Sequence, residues 1–204
     1  MKNKPTAQDI ERQELTIMIK KVLGSWWSKV EIDSLILKES LKENVSCVEY
    51  ELKVSGRSNV SHLIEGSGKG IVDALYGSMS NFFKEKYISL NGIKFVSFDA
   101  HANIQSDTTK NKTGSDSPVT TTLIVENERK HRFIFERSHH SMNTATISVV
   151  VDMIEFFVNA EVAMLRLNVA WKDAVERNRQ DLIAKYVSQM SEIVKITNYD
   201  LVLK

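Results

Sequence analysis

Three glycines spaced two positions apart stand directly before an apolar run of helical period. Gly66, Gly68 and Gly70 follow the strand-like segment 60–64 and precede the helix-like segment 71–86. A glycine turn between a strand and a helix presents backbone N–H groups and the positive end of the helix dipole, which can hold a carboxylate or a phosphate. The stretch therefore predicts a strand–turn–helix unit that can bind an anion, although a purely structural turn explains the same glycines.

The glycine stretch matches neither of the common phosphate-binding motifs. A P-loop requires a Gly-Lys-Ser/Thr ending, whereas Lys69 is followed here by Gly70 and Ile71. The spacing Gly-x-Gly-x-Gly is also shorter than the dinucleotide fingerprint. Asp73 falls in the first turn of the predicted helix, where a carboxylate stabilises the dipole. The sequence leaves two roles open for Asp73, dipole partner and ligand-binding group.

The order of predicted elements recurs along the chain. Residues 45–54 alternate between apolar and charged side chains, which is typical of a half-buried strand. The first unit has strands at 30–37, 45–54 and 60–64 and a helix at 71–86; the second has strands at 93–104, 119–125 and 131–136 and a helix at 144–167. The polar segment 105–117 is predicted to be a loop. This order predicts an α+β fold of two β-β-β-α units, each a three-stranded antiparallel sheet packed with a helix.

Helices are also predicted outside the two units. Residues 8–23 have helical apolar spacing and stop at Gly24, and an apolar stripe at 181–196 predicts a helix after a break between positions 168 and 181. The adjacent Trp26 and Trp27 are expected to pack in a core or interface. The predicted domains are an N-terminal helical segment at 1–27, the double unit at 28–167 and a C-terminal helical extension at 168–204.

Composition excludes several classes of function. Lys and Arg total 27 against 26 for Asp and Glu, so no strong field favours nucleic acid or a membrane surface. The most apolar region, 147–169, carries four charged residues, which argues against a membrane span. Cys47 is the one cysteine, so an internal disulfide is impossible and a cytoplasmic location is expected. The five histidines lack metal-ligand spacing and no catalytic motif occurs, so no metal, cofactor or catalytic residue is predicted.

Two segments resemble a known family. Gly68-Lys-Gly-Ile-Val-Asp-Ala-Leu75 resembles the Gly-Asn-Gly-Pro-Val-Asp-Ala-Leu segment in the C-terminal regulatory domain of 2-isopropylmalate and citramalate synthases. Ser141-Met-Asn-Thr-Ala-Thr-Ile-Ser148 is similar to the family's Ser-x-Asn-Ile-Ile-Glu-Ala-Ser, and 114–119 opens a strand as a Gly-Thr-Asp segment does in the family. The resemblance covers roughly residues 28–167, and the double β-β-β-α order is the regulatory fold of that family.

The resemblance implies a dimeric regulatory module of leucine or isoleucine biosynthesis that gives feedback regulation. Such a domain binds the amino acid near its dimer interface, and this chain is expected to act as a homodimer, with a separate synthase catalytic chain as a further partner. The implied effector-binding residues are Gly68, Gly70, Asp73, Ala74, Tyr76, Ser141 and Asn143.

Catalysis by the chain alone is not expected. The catalytic part of the synthases is a (β/α)₈ barrel of about 250 residues, and 204 residues leave no room for it. Two alternatives remain open at this point. One is a dimerisation or protein-interaction module that keeps the fold without the amino-acid pocket, and the other is an enzyme with an unrecognised site.

Overall fold

A computed structural model describes residues 6–55, 60–102, 117–198 and 202. Two short 3₁₀ turns, Gly24–Trp26 and Ile88–Leu90, accompany the longer elements. The longer helices and strands are, in chain order, α1 (Ala7–Leu23), β1 (Lys29–Ser40), β2 (Val45–Ser55), β3 (Val60–Gly68), α2 (Ile71–Phe83), β4 (Lys94–Ala102), β5 (Val119–Glu126), β6 (Arg132–His139), α3 (Met142–Glu176) and α4 (Gln180–Ile193). The predicted α+β fold of two β-β-β-α units with helices at both ends is confirmed.

Each unit contains one antiparallel sheet of three strands. The first sheet has the order β1-β2-β3 and the second the order β4-β5-β6, so each strand pairs with its neighbour in the chain. Side chains alternate between the two faces of each sheet, and the buried apolar members of the central and last strands are Val48, Tyr50, Leu52, Leu123, Val125, Phe133 and Phe135. The alternation predicted for 45–54 and 131–136 is thereby confirmed. The predicted loop at 105–117 lies, apart from Ser117, outside the described residues.

The 35-residue helix α3 connects the two units. It packs on β5 and β6 of its own unit and also contacts β1 and α2 of the first unit, as well as α1 and α4. A three-stranded sheet with one helix buries a smaller share of its surface than a larger domain does. The buried side chains of both units therefore form one continuous hydrophobic cluster.

The ends of three predicted helices are corrected, and α4 ends at Ile193 instead of position 196. Helix α3 continues past the predicted end at 167 to Glu176, and the break before α4 lies at 177–179, inside the predicted interval of 168–181. Asn178 has a positive φ of 53° in this break, a conformation that asparagine tolerates better than most residues. Helix α2 ends at Phe83 instead of position 86. The predicted stop of α1 at Gly24 is confirmed, with φ of 54° at that glycine.

A polar junction ties the start of β1 to the middle of α3. The Trp27 Nε1–H and the Val30 backbone N–H each donate to the Glu155 carboxylate at 2.9 Å. Asn159 accepts from the Ser28 N–H and donates to the Ser28 carbonyl, both at 2.8 Å. Burial raises the pKa of Glu155 above its ordinary value, although both donors oppose that shift. Trp27 thus packs at this junction and donates to a half-buried acid, and both predicted tryptophans pack against the hydrophobic cluster.

Tyr50 provides a test of the first sheet's packing at alkaline pH. Its side chain is 2% exposed and its hydroxyl lies 2.8 Å from Ser78 Oγ on α2. Burial raises the pKa of Tyr50 from 10.0 to about 12. The folded state therefore resists deprotonation, so stability present below pH 10 is lost as the pH rises toward 12. Two pKa units correspond to about 2.7 kcal/mol of unfolding free energy.

We expect Tyr50→Phe to remove much of this alkaline dependence, as measured by urea unfolding at pH 9.5 and 11.5. Tyr186→Phe, which changes a half-buried tyrosine on α4, is the matched control. Equal loss of stability on alkalinisation in the wild type and in Tyr50→Phe would contradict the expectation.

Candidate ligand-binding site

The start of α2 is built differently from the glycine turn that the sequence predicts. Strand β3 continues through Gly66 to Gly68, which pair with Val48 and Ser46 of β2. Only Lys69 and Gly70 therefore lie between the strand and α2. The prediction that all three glycines form the turn, and that β3 ends at position 64, is wrong.

The two strand glycines serve close packing of α2 on β3. A Cβ on Gly66 would lie 2.6 Å from the Ser78 Cβ, and one on Gly68 would lie 2.6 Å from the Ala74 backbone N. Carbon atoms do not approach these groups so closely, so only glycine lets the helix lie on this part of the strand. A Cβ on Gly70, in contrast, would meet no atom of the described residues within 4 Å, its chain neighbours aside.

The Asp73 carboxylate lies at the start of α2. Asp73 is exposed, and its Oδ2 accepts from the Lys69 N–H at 3.0 Å. Gly70 is the N-cap residue and supplies no side-chain cap. A negative charge in the first turn stabilises the helix dipole, so the structural role predicted for Asp73 is present. Its exposure also leaves the carboxylate accessible to a cationic group.

The two residues expected to line an apolar pocket differ in accessibility. Ala74 is fully buried against β3, whereas Tyr76 is half-buried. The Tyr76 hydroxyl donates to the carbonyls of Leu90 and Ile93 at 3.4 and 3.3 Å, and its ring lies 4.6 Å from that of Phe95. Tyr76 thus contributes accessible surface on α2, and Ala74 contributes to the packing of α2 on β3.

The start of α3 is capped by its own serine. Ser141 Oγ accepts from the Thr144 N–H at 3.3 Å, and the Ser141 N–H donates to His139 Nδ1 at 3.0 Å. Asn143 is exposed in the first helical turn. Among the described residues, no hydrogen bond or ion pair joins Ser141 or Asn143 to the start of α2. The structure thus presents two helix starts with polar, exposed side chains, and the start of α3 is capped by a side chain whereas that of α2 is not.

The described residues form no metal-binding site. Within the described ranges, no group of three or more His, Cys, Asp or Glu side chains is placed to hold a metal ion. In the same part of the chain, no helix combines the length and apolar character that crossing a bilayer requires. Cys47 is a free, exposed cysteine in β2.

A feature that sequence reasoning missed is an open groove of about 950 Å³ between α1, α3 and α4. Its lining includes Trp26, Arg166 and Tyr186 and none of the residues at the starts of α2 and α3. The described lining residues come from α1, α3 and α4, from the 3₁₀ turn that contains Trp26, from the end of β2 and from positions 28 and 86–87. Helical spacing alone could have indicated Tyr186 on the apolar stripe of α4, but no local pattern brings it to Arg166.

Comparison with known proteins gives one informative similarity. No family model matches the chain. A 114-residue segment is 32% identical to the 2-isopropylmalate synthase of Clostridium acetobutylicum. A relation to that synthase family is plausible. The segment covers 55% of this chain but 17% of the synthase, so the similarity concerns a small part of the larger protein.

Proposed function

We propose that this chain is a regulatory and dimerisation module related to the 2-isopropylmalate synthases that binds leucine or isoleucine near a dimer interface. The observation that carries the proposal is the double β-β-β-α fold, in a chain that shares 32% identity with such a synthase over 114 residues. The regulatory module and the catalytic centre of the synthase would then lie on separate chains, and the catalytic chain would be a partner of this one.

The start of α2 supports binding of an amino acid. First-turn N–H groups of a helix lack partners within the helix and attract a carboxylate. The exposed Asp73 carboxylate can pair with the ammonium group of the same ligand. Space around Gly70 lets the ligand approach the backbone, and Tyr76 offers an apolar contact for a branched side chain. The capped start of α3, with Ser141 and Asn143, supplies the second set of polar groups.

Strand β4 supports dimerisation. Helix α3 covers β5 and β6 but leaves most of β4 exposed. Phe95, Val96 and Phe98 are 39%, 42% and 42% exposed, which is unusual for apolar side chains that follow one another on a strand. Because the Phe95 ring contacts Tyr76, a partner seated on β4 would lie beside α2. An interface here would therefore adjoin the proposed effector site.

A dimerisation module without an amino-acid pocket is the second candidate. The hydrogen bond from the Lys69 N–H to Asp73 favours it, because the carboxylate already has a partner within the chain. The burial of Ala74 also removes one of the expected pocket walls. This candidate retains the exposed β4 strand as its functional surface.

A thermal-shift series with each of the twenty amino acids tests the proposal. A ligand that binds only the folded state, at 100 times its Kd, adds about 2.7 kcal/mol of stability. We expect leucine or isoleucine to raise the midpoint temperature of thermal unfolding. No rise with any amino acid would overturn the sensor function, and sedimentation analysis would then decide whether the chain is still a dimer.

Two matched pairs of variants locate the site. Asp73→Asn removes the expected ammonium partner, and Asp181→Asn makes the same change in the first turn of α4. Gly70→Ala adds a methyl at the helix start, and Gly77→Ala adds one in open space further along α2. The response to the amino acid should weaken in Asp73→Asn and Gly70→Ala and persist in both controls. A response that survives in all four variants would place the effector elsewhere.

A further inference from the structure

The groove between α1, α3 and α4 combines apolar walls with an excess of positive charge. Its volume of about 950 Å³ falls in the range of small-molecule sites. Trp26, Leu165, Val169 and Tyr186 form apolar parts of the lining, and Leu165 and Val169 are 42% and 68% exposed. Such exposed apolar side chains on a helical surface mark a place where another molecule gains contact area.

The charges of the groove are unbalanced. Among the described residues, its lining includes four cations, Lys21, Lys86, Arg166 and Lys185, and one carboxylate, Asp173. Asp173 already pairs with an arginine outside the groove, since Arg177 Nε lies 2.9 Å from its Oδ1. Within the described ranges, none of the four cations forms an ion pair. The groove therefore presents positive charge that an anionic ligand would neutralise.

Arg166 is the best-placed of the four cations to recognise an acid group. The side chain is half-buried, and its guanidinium carbon lies 4.2 Å from the Trp26 ring centroid, which fixes the plane of the group. One terminal nitrogen, Nη1, is buried and has no hydrogen-bond partner among the described residues. A buried donor without a partner is unfavourable, so a ligand acceptor that reaches this nitrogen through a small shift of the Arg166 side chain would improve the local hydrogen bonding. A guanidinium donates two parallel hydrogen bonds to a carboxylate.

We propose that this groove binds a small amphipathic carboxylate, with its acid group at Arg166 and its apolar body along Trp26, Leu165 and Tyr186. The mainly apolar lining favours one anionic head on a large apolar body over a highly charged ligand. Lys185 adds long-range attraction from α4. This site is independent of the proposed amino-acid site, because the two share no residue.

Calorimetric titration of the full chain with three matched probes tests this ligand chemistry. Decanoate, below its micelle concentration, carries both the head and the body, acetate carries the head alone, and decanol carries the body alone. We expect decanoate to bind at least tenfold more tightly than either of the others. Decanol binding as well as decanoate would overturn the role of charge, and acetate binding equally well would overturn the role of the apolar walls.

Variants place the binding in the groove. Arg166→Gln should weaken decanoate at least tenfold, and Lys185→Gln, at an exposed position that is safe for folding, should weaken it two- to fivefold. Lys172→Gln, on α3 but outside the groove lining, is the control and should leave binding unchanged. Equal affinity in all three variants would overturn the assignment. The assignment would also be overturned if decanoate does not bind and the chain self-associates in a way that Val169→Asp abolishes. A second copy of the chain would then cover the groove.

Discussion

Replacing Gly68 with alanine is expected to lower the free energy of unfolding by about 3 kcal/mol, the upper part of the range for overpacking. The new Cβ would lie 2.6 Å from the Ala74 backbone N and 2.9 Å from the Asp73 carbonyl carbon. Backbone atoms cannot rotate away as a flexible side chain does, so α2 would have to move off β3. The entropic gain of replacing a glycine, about 0.4–1 kcal/mol, is too small to offset this strain. Urea unfolding at pH 7 measures the change.

Gly70→Ala is the matched control for the strand substitution. It makes the same chemical change two residues later, where the new Cβ meets no atom within 4 Å and φ is −175°, an extended conformation that any residue adopts. Its unfolding free energy should fall by no more than about 1 kcal/mol, the cost of alanine in place of glycine at an N-cap. Similar losses in the two variants would mean that the glycines act together as a flexible turn, and would contradict the packing role of Gly68.

The element order could be predicted from the sequence because it rests on local periodicity. Alternation in β2 places Val48, Tyr50 and Leu52 on one face, and the same period in β6 places Phe133 and Phe135 on the buried face. These patterns repeat every two residues and need no knowledge of distant contacts. The two β-β-β-α units follow directly from them.

The functional geometry depended on contacts that local patterns do not encode. Gly66 and Gly68 look like turn residues because glycine is the usual solution where φ is positive. Here they are strand residues, and their requirement for glycine comes from Ser78 and Ala74 on the next helix. Similarly, the stacking of Arg166 on Trp26 joins positions far apart in the chain. Tertiary packing determined both features.

Replacing Phe157 with alanine is expected to lower the free energy of unfolding by about 3–5 kcal/mol, the usual range for a buried phenylalanine. Phe157 is fully buried on α3, and its ring lies 5.4 Å from the rings of Phe133 and Phe156 and 6.5 Å from that of Phe135. The loss is a large share of the about 5–15 kcal/mol typical of a folded domain. Urea unfolding with an unchanged m value measures it.

Phe98→Ala tests the exposed strand of the second sheet, whereas Phe157→Ala tests its buried core. This phenylalanine pairs with Leu123 in the same sheet as Phe133 and Phe135, but it is 42% exposed on β4. Because its surface is partly hydrated already, the unfolding free energy of the monomer should fall by less than about 1.5 kcal/mol. If β4 is the dimer interface, Phe98→Ala weakens self-association more than it weakens folding, whereas Phe157→Ala does the reverse. Sedimentation and unfolding on the same two variants therefore distinguish a surface that recognises a second chain from a core that holds one chain together.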